Sequence, residues 1–335
     1  MRQEQISSAI VTGGAGFVGS HIVDELLRKG VEVYVIDNMS TGSTGNLEHH
    51  LNNLKLHLIV GDIAEIGTLM PRDERVDVIF HEAAIASVVG SVNFPMKTHE
   101  ANVNNSLKVL DYCLKKNVRK IVFASSAAVY GFESDATASE EMICHPQSPY
   151  GASKLSVENY LAAYHRTYGL DTVALRYFNI YGPRQKLSSD YSGVITTFIL
   201  RLLENTPPTI YGDGRQTRDF VHVRDVAQAN MLAMESSEVK CNVFNVATGR
   251  TINIEGLLRI VKDVTCVQDV EHRYGPARPG DGRFGAASID KISRILQYKP
   301  NVNLETGLRE LTEFIRELRK GTVPAAIPVG NLQPA

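Results

Sequence analysis

Residues 12–20 read TGGAGFVGS, with Gly13, Gly16 and Gly19 spaced three apart between a β-branched run and an amphipathic stretch. Glycines at this spacing permit a tight turn, let the backbone approach a pyrophosphate, and let a helix pack closely on a strand. The residues from Phe17 to Lys29 have apolar side chains at helical intervals, and a glycine follows as a stop signal. The stretch therefore predicts the first strand, turn and helix of a dinucleotide-binding sheet.

Short β-branched runs alternate with longer amphipathic stretches through the first half of the chain. This alternation is typical of βαβ units and a parallel sheet. The predicted strands are SSAIVT, VEVYVID, LKLHLIVGD, VDVIFHEAA, RKIVFASS and TVALRYFNI. We expect an α/β fold with a doubly wound parallel sheet of Rossmann type rather than a barrel, because a phosphate-type turn opens it and the alternation later stops.

The second half of the chain has a different composition. The segments IYGPRQ, NTPPTIYGDGRQTRD and RYGPARPGDGRFG are rich in Gly, Pro and Arg, which is typical of binding loops. We expect a dinucleotide-binding domain over 1–179, to which 221–246 return, and a smaller discontinuous substrate domain over 180–220 and 247–320. The tail, 321–335, lacks periodicity and is expected to be loosely ordered.

The overall composition excludes several classes of protein. Of 335 residues, 43% are hydrophobic, and 35 Lys and Arg against 37 Asp and Glu give a net charge of −2. No basic field is therefore available for nucleic acid or an anionic membrane. No apolar run reaches the ~18 residues of a membrane span, and no signal peptide is evident, so a cytoplasmic protein is expected. The four cysteines have no zinc-type spacing, and no metal site is predicted.

Asp37 ends the second predicted strand, where a carboxylate would accept hydrogen bonds from the adenosine ribose hydroxyls. The same carboxylate would repel a 2′-phosphate, so NAD(H) is favoured over NADP(H). Asp62, after the third strand, would either meet the adenine amino group or cap its own loop, and both readings stay open. The alternative for the whole motif is a glycine turn with a solvated aspartate.

Tyr150 and Lys154 are four residues apart, on one face of a helix predicted from Tyr150 to Tyr168. A phenol, with a pKa near ~10, is a poor base unless positive charge stabilises its phenolate. Lys154 and an oxidised nicotinamide would both supply that charge. Ser125 and Ser126 end a predicted parallel strand, at the edge where ligands bind in open α/β sheets. These residues predict an acid/base site, although Tyr and Lys at this spacing are also common on helix surfaces.

Several segments occur in a recognisable order: TGGAGFVGS, DNMSTG, HEAA, SSAAVYG, YGASK, LRYFNIYGPR, GDGRQTRDFVHVRD and RPGD. Together they resemble the extended short-chain dehydrogenase/reductase superfamily, specifically its NAD-dependent sugar-nucleotide epimerase/dehydratase family. The resemblance covers most of the chain. It implies NAD as cofactor, a UDP-sugar as substrate, and a homodimer joined through helices at 101–116 and 153–168.

The resemblance also implies roles for single residues. Tyr150 resembles the catalytic base, Lys154 the residue that lowers its pKa and holds the nicotinamide ribose, and Ser126 the hydroxyl that meets the sugar O4. The positions that match cofactor contacts are Gly13, Gly16, Phe17, Val18, Gly19, Asp37, Asn38, Ser40, Thr41, Gly42, Asp62, Ile63, Ala83 and Ala84, with Tyr150 and Lys154. The positions that match nucleoside diphosphate contacts are Asn179, Arg218, Asp281 and Arg283.

Two alanines favour one reaction of this family over others. Similar 4,6-dehydratases carry Asp and Glu directly after the catalytic hydroxyl, and decarboxylating relatives keep the Glu, but this chain has Ala127 and Ala128. Without a carboxylate there, no agent is evident for proton transfer at C5 or C6. We therefore expect 4-epimerisation through a transient 4-keto sugar. The alternatives are a dehydratase that recruits an acid from another loop, another oxidoreductase of the superfamily, and a non-catalytic NAD(H)-binding regulator.

Gly285 bears on the size of the substrate. In similar 4-epimerases the residue four after the Asp of the RPGD-type motif borders the sugar 2-substituent, and Asp281 places Gly285 there. Steric exclusion of an N-acetyl group is therefore absent at this point. UDP-GlcNAc and UDP-GalNAc are expected substrates, with UDP-Glc and UDP-Gal accepted as well. A glycine required for backbone freedom is the competing explanation.

Overall fold

A computed structural model describes residues 6–131, 136–187, 193–277 and 285–321. Seven strands form one central sheet in the order β10-β6-β5-β4-β1-β2-β3, and every pair is parallel. Numbered in chain order, these strands are β1 (Ser8–Thr12), β2 (Glu32–Asp37), β3 (Leu56–Val60), β4 (Val78–His81), β5 (Lys120–Ser126), β6 (Asp171–Tyr177) and β10 (Cys241–Val246). The predicted parallel α/β sheet is confirmed.

Helices cover both faces of this sheet because successive strand residues point to opposite sides. Ala9 and Val11 of β1 pack into one hydrophobic cluster, whereas Ile10 packs into another. The first cluster includes α1 and α8, and the second includes α5 and α6. The helices of this part are α1 (Phe17–Arg28), α2 (Ile66–Leu69), α3 (Val88–Asn93), α4 (Pro95–His99), α5 (Asn105–Lys116), α6 (Pro149–Tyr168) and α8 (Val223–Glu235).

The remaining elements enclose a third cluster, which includes Phe198, Leu257 and Leu311. A three-stranded sheet and a two-stranded sheet belong to this part. Its elements are β7 (Asn179–Tyr181), α7 (Val194–Leu203), β8 (Thr209–Tyr211), β9 (Thr217–His222), β11 (Thr251–Asn253), α9 (Ile254–Thr265), β12 (Arg273–Gly275) and α11 (Leu304–Lys320). The helix α10 (Asp290–Leu296) instead packs on the first cluster, through Ile292 and Leu296. Among the described residues, no helix is both long and apolar enough to cross a bilayer.

The segment TVALRYFNI forms two strands, which corrects the prediction of one. β6 lies in the central sheet, and the amide of Phe178 still donates to the carbonyl of Val246 at 3.1 Å. The next residue, Asn179, pairs instead with Phe220 of β9 in the small sheet. The chain therefore changes sheets at Phe178, at the carboxyl edge of the central sheet.

The last strand of the central sheet, β10, is absent from the predicted strands. Residues 223–246 return to this sheet, since α8 packs against α1 and β10 pairs with β6. The strand that precedes α8 belongs to the small sheet, where β9 pairs with β7 and β11. The domain division at 179, 220 and 246 stays a prediction.

Candidate active site

The glycine-rich turn forms a cradle that side chains would fill. Gly13 has φ of +67°, and a Cβ there would lie 2.9 Å from the backbone of Ala83. A Cβ on Gly19 would press on the carbonyl oxygen of Gly13. Helix α1 begins after Gly16 without a side-chain cap, so its first amides are available to an anion. These features fit the pyrophosphate of a dinucleotide.

Asp37 is buried at the end of β2, and two backbone amides hold its carboxylate. Its Oδ2 accepts from the amide of Ala15 at 3.0 Å, and its Oδ1 accepts from Met39 at 2.8 Å. Burial raises the pKa of Asp37, and these two amide bonds act in the opposite direction. The carboxylate is therefore fixed against the glycine-rich turn, where the sequence places the adenosine ribose.

Asp62 caps the turn that follows β3. Its Oδ1 accepts from the amide of Ala64 at 2.9 Å, and its Oδ2 accepts from the side-chain amide of Asn38 at 3.0 Å. The oxygen of that Asn38 side chain accepts from the amide of Ser40 at 3.1 Å. Capping is therefore one role of Asp62, and the adenine contact stays a prediction.

The other cofactor positions lie beside this cradle, in the first turn of α1 or in segments that follow β2, β3 and β4. Since β1, β2, β3 and β4 are parallel neighbours, their carboxyl ends meet at one edge of the sheet. The positions are Phe17, Val18, Ser40, Thr41, Gly42, Ile63, Ala83 and Ala84.

Replacing Gly13 with Ala is expected to weaken NAD+ binding by about tenfold, because a left-handed non-glycine residue costs ~1–2 kcal/mol and its Cβ would displace the backbone of Ala83. Calorimetric titration of the cofactor-depleted protein measures this loss. Gly67→Ala is the matched control, since a Cβ on Gly67 meets nothing within 4 Å. Equal affinities for the two variants would contradict the cradle.

Ser126, Tyr150 and Lys154 meet at the carboxyl edge of β5. Ser126 is the last residue of β5, whereas Tyr150 and Lys154 lie one turn apart in α6. The Nζ of Lys154 donates to the carbonyl of Ala124 at 2.7 Å and lies 5.9 Å from the centroid of the Tyr150 ring. Lys154 is 3% exposed, so its charge is shielded from solvent. The structure thus brings together the three residues that the sequence singles out for acid/base chemistry.

Burial shifts the pKa values of two members of this trio, Tyr150 and Lys154. Burial raises the pKa of Tyr150, although a hydrogen bond with Ser126 lowers it. Burial lowers the pKa of Lys154 to about 8. Desolvation therefore dominates the pKa of Tyr150, and the lowering expected from Lys154 and an oxidised nicotinamide together stays a prediction. A second positive charge is needed before the phenol becomes a base near neutral pH.

The start of α6 is held by residues that the sequence analysis did not single out. Ser148 caps the helix by accepting from the amide of Gly151 at 3.1 Å, and Ser91 Oγ accepts from the amide of Tyr150 at 3.1 Å. Asn102 lies in a π-helical turn between α4 and α5 and donates to Ser153 Oγ at 3.0 Å. Such turns are frequent at functional sites. Together these contacts fix the backbone that carries the phenol.

Ser125 has a different environment from Ser126. Its hydroxyl donates to Glu158 in α6, which forms a two-bond ion pair with Arg176 at 2.9 and 2.7 Å. Successive strand residues point to opposite faces, so the two serines cannot serve the same site. Ser125 therefore belongs to a buried network, and Ser126 is the serine beside Tyr150.

The predicted substrate residues lie on neighbouring strands of the small sheet. The side-chain amide of Asn179 donates to the carbonyl of Asp219 at 2.9 Å, and Arg218 Nη1 donates to the carbonyl of Thr217 at 2.7 Å. β7 and β9 are parallel, so Asn179 and Arg218 are near each other. Asp281 and Arg283 lie outside the described residues.

Gly285 packs against this strand. Its carbonyl accepts from the amide of Asp219 at 3.1 Å, and a Cβ would lie 3.3 Å from Cδ of Arg218. Gly285 is not among the glycines with positive φ, so backbone freedom does not explain it. A Cβ would also lie 3.1 Å from the carbonyl oxygen of Thr217, so close packing against β9 accounts for the glycine.

Comparison with known proteins decides the family. The sequence profile of the NAD dependent epimerase/dehydratase family matches residues 9–247. The chain belongs to this family. NAD is accordingly its cofactor, and the binding of NAD at Gly13, Gly19 and Asp37 stays a prediction.

The chain is also similar to characterised family members over nearly its whole length. The UDP-N-acetylglucosamine 4-epimerase from Methanobrevibacter ruminantium M1, solved with UDP-N-acetylmuramic acid, is 40% identical with a TM-score of 0.87, covering 94% of this chain and 99% of that chain. The Thermotoga maritima UDP-glucose 4-epimerase, solved with UDP-glucose, is 38% identical with a TM-score of 0.86, covering 93% and 99%. A Mycolicibacterium smegmatis UDP-glucose 4-epimerase is 35% identical, covering 92% of this chain and 98% of that protein.

Dehydratases share this fold as well. The Streptomyces venezuelae dTDP-glucose 4,6-dehydratase DesIV, solved with NAD, is 31% identical with a TM-score of 0.86, covering 94% of this chain and 98% of that chain. The fold therefore does not separate epimerisation from dehydration, and the side chains at the site have to do so.

Proposed function

We propose that this chain is a UDP-sugar 4-epimerase that inverts C4 of a UDP-hexose through a transient 4-keto sugar. The observation that carries the proposal is that Ser126, Tyr150 and Lys154 lie together at the end of β5. Ala127 and Ala128 directly follow Ser126 in the chain, at the positions where dehydration would need carboxyl groups. One acid/base group is sufficient for oxidation and reduction at a single carbon. The 4-epimerases among the similar proteins support the same reaction.

Tyr150 takes the proton of the 4-hydroxyl, and Ser126 orients the sugar O4. Lys154 contributes positive charge that favours the phenolate, from a position fixed by the carbonyl of Ala124. When bound, NAD+ would accept the C4 hydride and add a second positive charge to the site, and the NADH so formed would return the hydride to C4. Tyr150 gives the proton back when C4 is reduced on its other face.

Inversion requires that the sugar can turn while the nucleotide stays bound. Arg218, together with Asn179, is proposed to hold the UDP, since a guanidinium group suits a diphosphate. Asp281 and Arg283 are proposed to complete this contact. Holding the substrate mainly through its nucleotide leaves the hexose free to present both faces of the ketone.

The proposed substrates are UDP-GlcNAc and UDP-GalNAc, with UDP-Glc and UDP-Gal also accepted. The sequence argument supports the N-acetyl sugars, because the position matched to the sugar 2-substituent is Gly285 and carries no bulky side chain. The test is incubation of the purified protein with UDP-Glc, UDP-GlcNAc and UDP-GlcA separately, with products read by NMR for configuration at C4 and by mass. An unchanged mass with inverted C4 supports epimerisation, whereas loss of one water supports the dehydratase alternative. Binding of NAD without turnover would support a regulator.

Replacing Gly285 with Tyr is expected to lower kcat/KM for UDP-GlcNAc about tenfold more than for UDP-Glc, because the sequence match places a bulky ring at this position against the sugar 2-substituent. Steady-state rates with both substrates measure the ratio. An equal loss of kcat/KM for both substrates would contradict this role. It would indicate that the substitution acts by displacing Arg218, whose Cδ lies 3.3 Å from the added Cβ position.

We also propose a cytoplasmic homodimer joined through α5 and α6. Tyr160 and Tyr168 on α6 are 41% and 59% exposed, which suits a helix face that a second copy covers. Light scattering on the purified protein tests the mass, and a monomer at micromolar concentration would contradict the dimer.

A further inference from the structure

Glu82 lies directly after β4, beside the proposed catalytic trio but outside it. Its Oε1 accepts from the hydroxyl of Tyr177 at 2.8 Å. In the central sheet β5 lies between β4 and β6, and Tyr177 is the register partner of Ser126. The Glu82 side chain therefore reaches past the end of β5 at the level of Ser126.

The hydrogen-bond donors of this contact can be assigned. The side-chain amide of Asn230 donates to the carbonyl of Val226 at 2.9 Å and to the Tyr177 hydroxyl at 2.8 Å. The Tyr177 hydroxyl accepts that bond, so its own proton goes to Glu82. Burial raises the pKa of Tyr177 well above its ordinary value, which keeps this donor protonated. Glu82 Oε1 is therefore an acceptor, as expected of a carboxylate.

Lys154 needs a counter-charge, and few groups near it can supply one. The carboxylates that act on it among the described residues are Glu82 and Glu158, and Glu158 is already paired with Arg176. His81 also faces Lys154, but burial lowers its pKa to about 3, so it is neutral at physiological pH. The position of Glu82 fits the role, because His81 is the register partner of Phe123, one residue before the carbonyl that holds Lys154.

We propose that Glu82 is a positioning residue whose negative charge keeps Lys154 in its ammonium form, and that it thereby sets the upper pH limit of the C4 reaction. The second half of this inference rests on the proposed function. The first half concerns only the charge of one lysine in the folded chain.

The direction of the effect follows from burial. Desolvation lowers the pKa of Lys154 to about 8 even though Glu82 acts to raise it. Desolvation also raises the pKa of Glu82 to about 7, while Lys154 and the Tyr177 hydrogen bond act to lower it. Removing the Glu82 charge therefore lowers the pKa of Lys154 further, and more of the lysine becomes a neutral amine near pH 7. Glu82 also acts directly to raise the pKa of Tyr150, which opposes its effect through Lys154.

The test compares Glu82→Gln with Tyr177→Phe in the full-length protein. Glu82→Gln removes the charge but keeps an oxygen acceptor for Tyr177, whereas Tyr177→Phe removes the hydrogen bond but keeps the charge. The Cε signal of Lys154 in protein labelled with ¹³Cε-lysine reports its protonation and is assigned by its absence from Lys154→Met. We expect Glu82→Gln to lower the Lys154 midpoint by about one pH unit and Tyr177→Phe to shift it much less.

Wild-type protein supplies a second reading if Glu82→Gln fails to fold. The Lys154 signal should show a smaller inflection near pH 7, when Glu82 titrates beside it. Absence of that inflection, an unchanged midpoint in Glu82→Gln, or equal shifts in both variants would overturn the proposal. None of these readings requires turnover, so they stand apart from a failure of the proposed function.

Turnover tests the second half. In Glu82→Gln, the alkaline limb of the pH profile of kcat should shift to lower pH by the same amount as the Lys154 midpoint, with KM little changed. Glu82→Asp should restore the wild-type position of this limb. Loss of kcat at every pH with a shifted Lys154 midpoint would make Glu82 a proton donor or acceptor in its own right and would overturn the positioning role.

Discussion

Replacing Tyr150 with Phe is expected to lower kcat for C4 epimerisation about a thousandfold, the usual scale for removing a positioned acid/base group. That loss corresponds to about 4 kcal/mol of transition-state stabilisation. The phenyl ring keeps the place of the phenol, and the contact of Ser91 is to the backbone amide, which the substitution leaves intact. Lys154 also keeps its bond to the carbonyl of Ala124. UDP-sugar binding should therefore be nearly unchanged.

The measurement is kcat with UDP-GlcNAc and UDP-Glc, alongside calorimetric affinities for UDP and NAD+. Tyr160→Phe is the matched control, because Tyr160 lies on the same helix but is 41% exposed. The control should retain full turnover. A Tyr150→Phe protein with most of its rate, or one that has lost UDP binding to a similar extent, would show that the phenol is not the acid/base group.

Local sequence signals predict much of this fold. The glycine-rich turn, the apolar spacing of α1 and the β-branched runs of β1 to β5 depend on neighbours in the chain, and each element is found near its predicted place. The proximity of Tyr150 and Lys154 is likewise predicted from the sequence, because residues four apart lie one turn apart on the same face of a helix. Strand ends in a parallel sheet share one edge, so Ser126 could be placed beside them before its contacts were known.

Features that depend on sheet register could not be predicted in the same way. β10 reads CNVFNV, in which asparagines interrupt the apolar run, and it forms a strand by pairing with the edge of β6. The segment is divided at Phe178 because the residues before it pair in the central sheet and those after it pair in the small sheet. The hydrophobic pattern of the sequence gives no sign of this division. Glu82 belongs to the HEAA segment, yet its partner Tyr177 lies two strands away in the sheet. Ser125 and Ser126 both contact α6, and only the three-dimensional structure shows that Ser125 meets Glu158 whereas Ser126 meets Tyr150.

The ion pair between Arg176 and Glu158 is buried beside β5, the strand that ends in Ser126. Their side chains are 6% and 5% exposed, and two hydrogen bonds join them. Arg176 also lies over the ring of Tyr130, with Cζ 4.7 Å from its centroid. The carboxylate of Glu158 raises the pKa of Arg176. The pair is thus charged and desolvated, directly behind the strand that carries Ser126.

Replacing Arg176 with Met is expected to lower the free energy of unfolding by about 3 to 5 kcal/mol, because it leaves the Glu158 charge buried without a partner. Urea denaturation followed by circular dichroism measures the loss. Arg309→Met is the control, since its ion pair with Glu305 on α11 is exposed and should matter little. Adding Glu158→Met to Arg176→Met should recover most of the stability, since the buried charge is then gone. A double variant no more stable than Arg176→Met would mean that the geometry of the pair, rather than its charge, supports β5 and the site at its end.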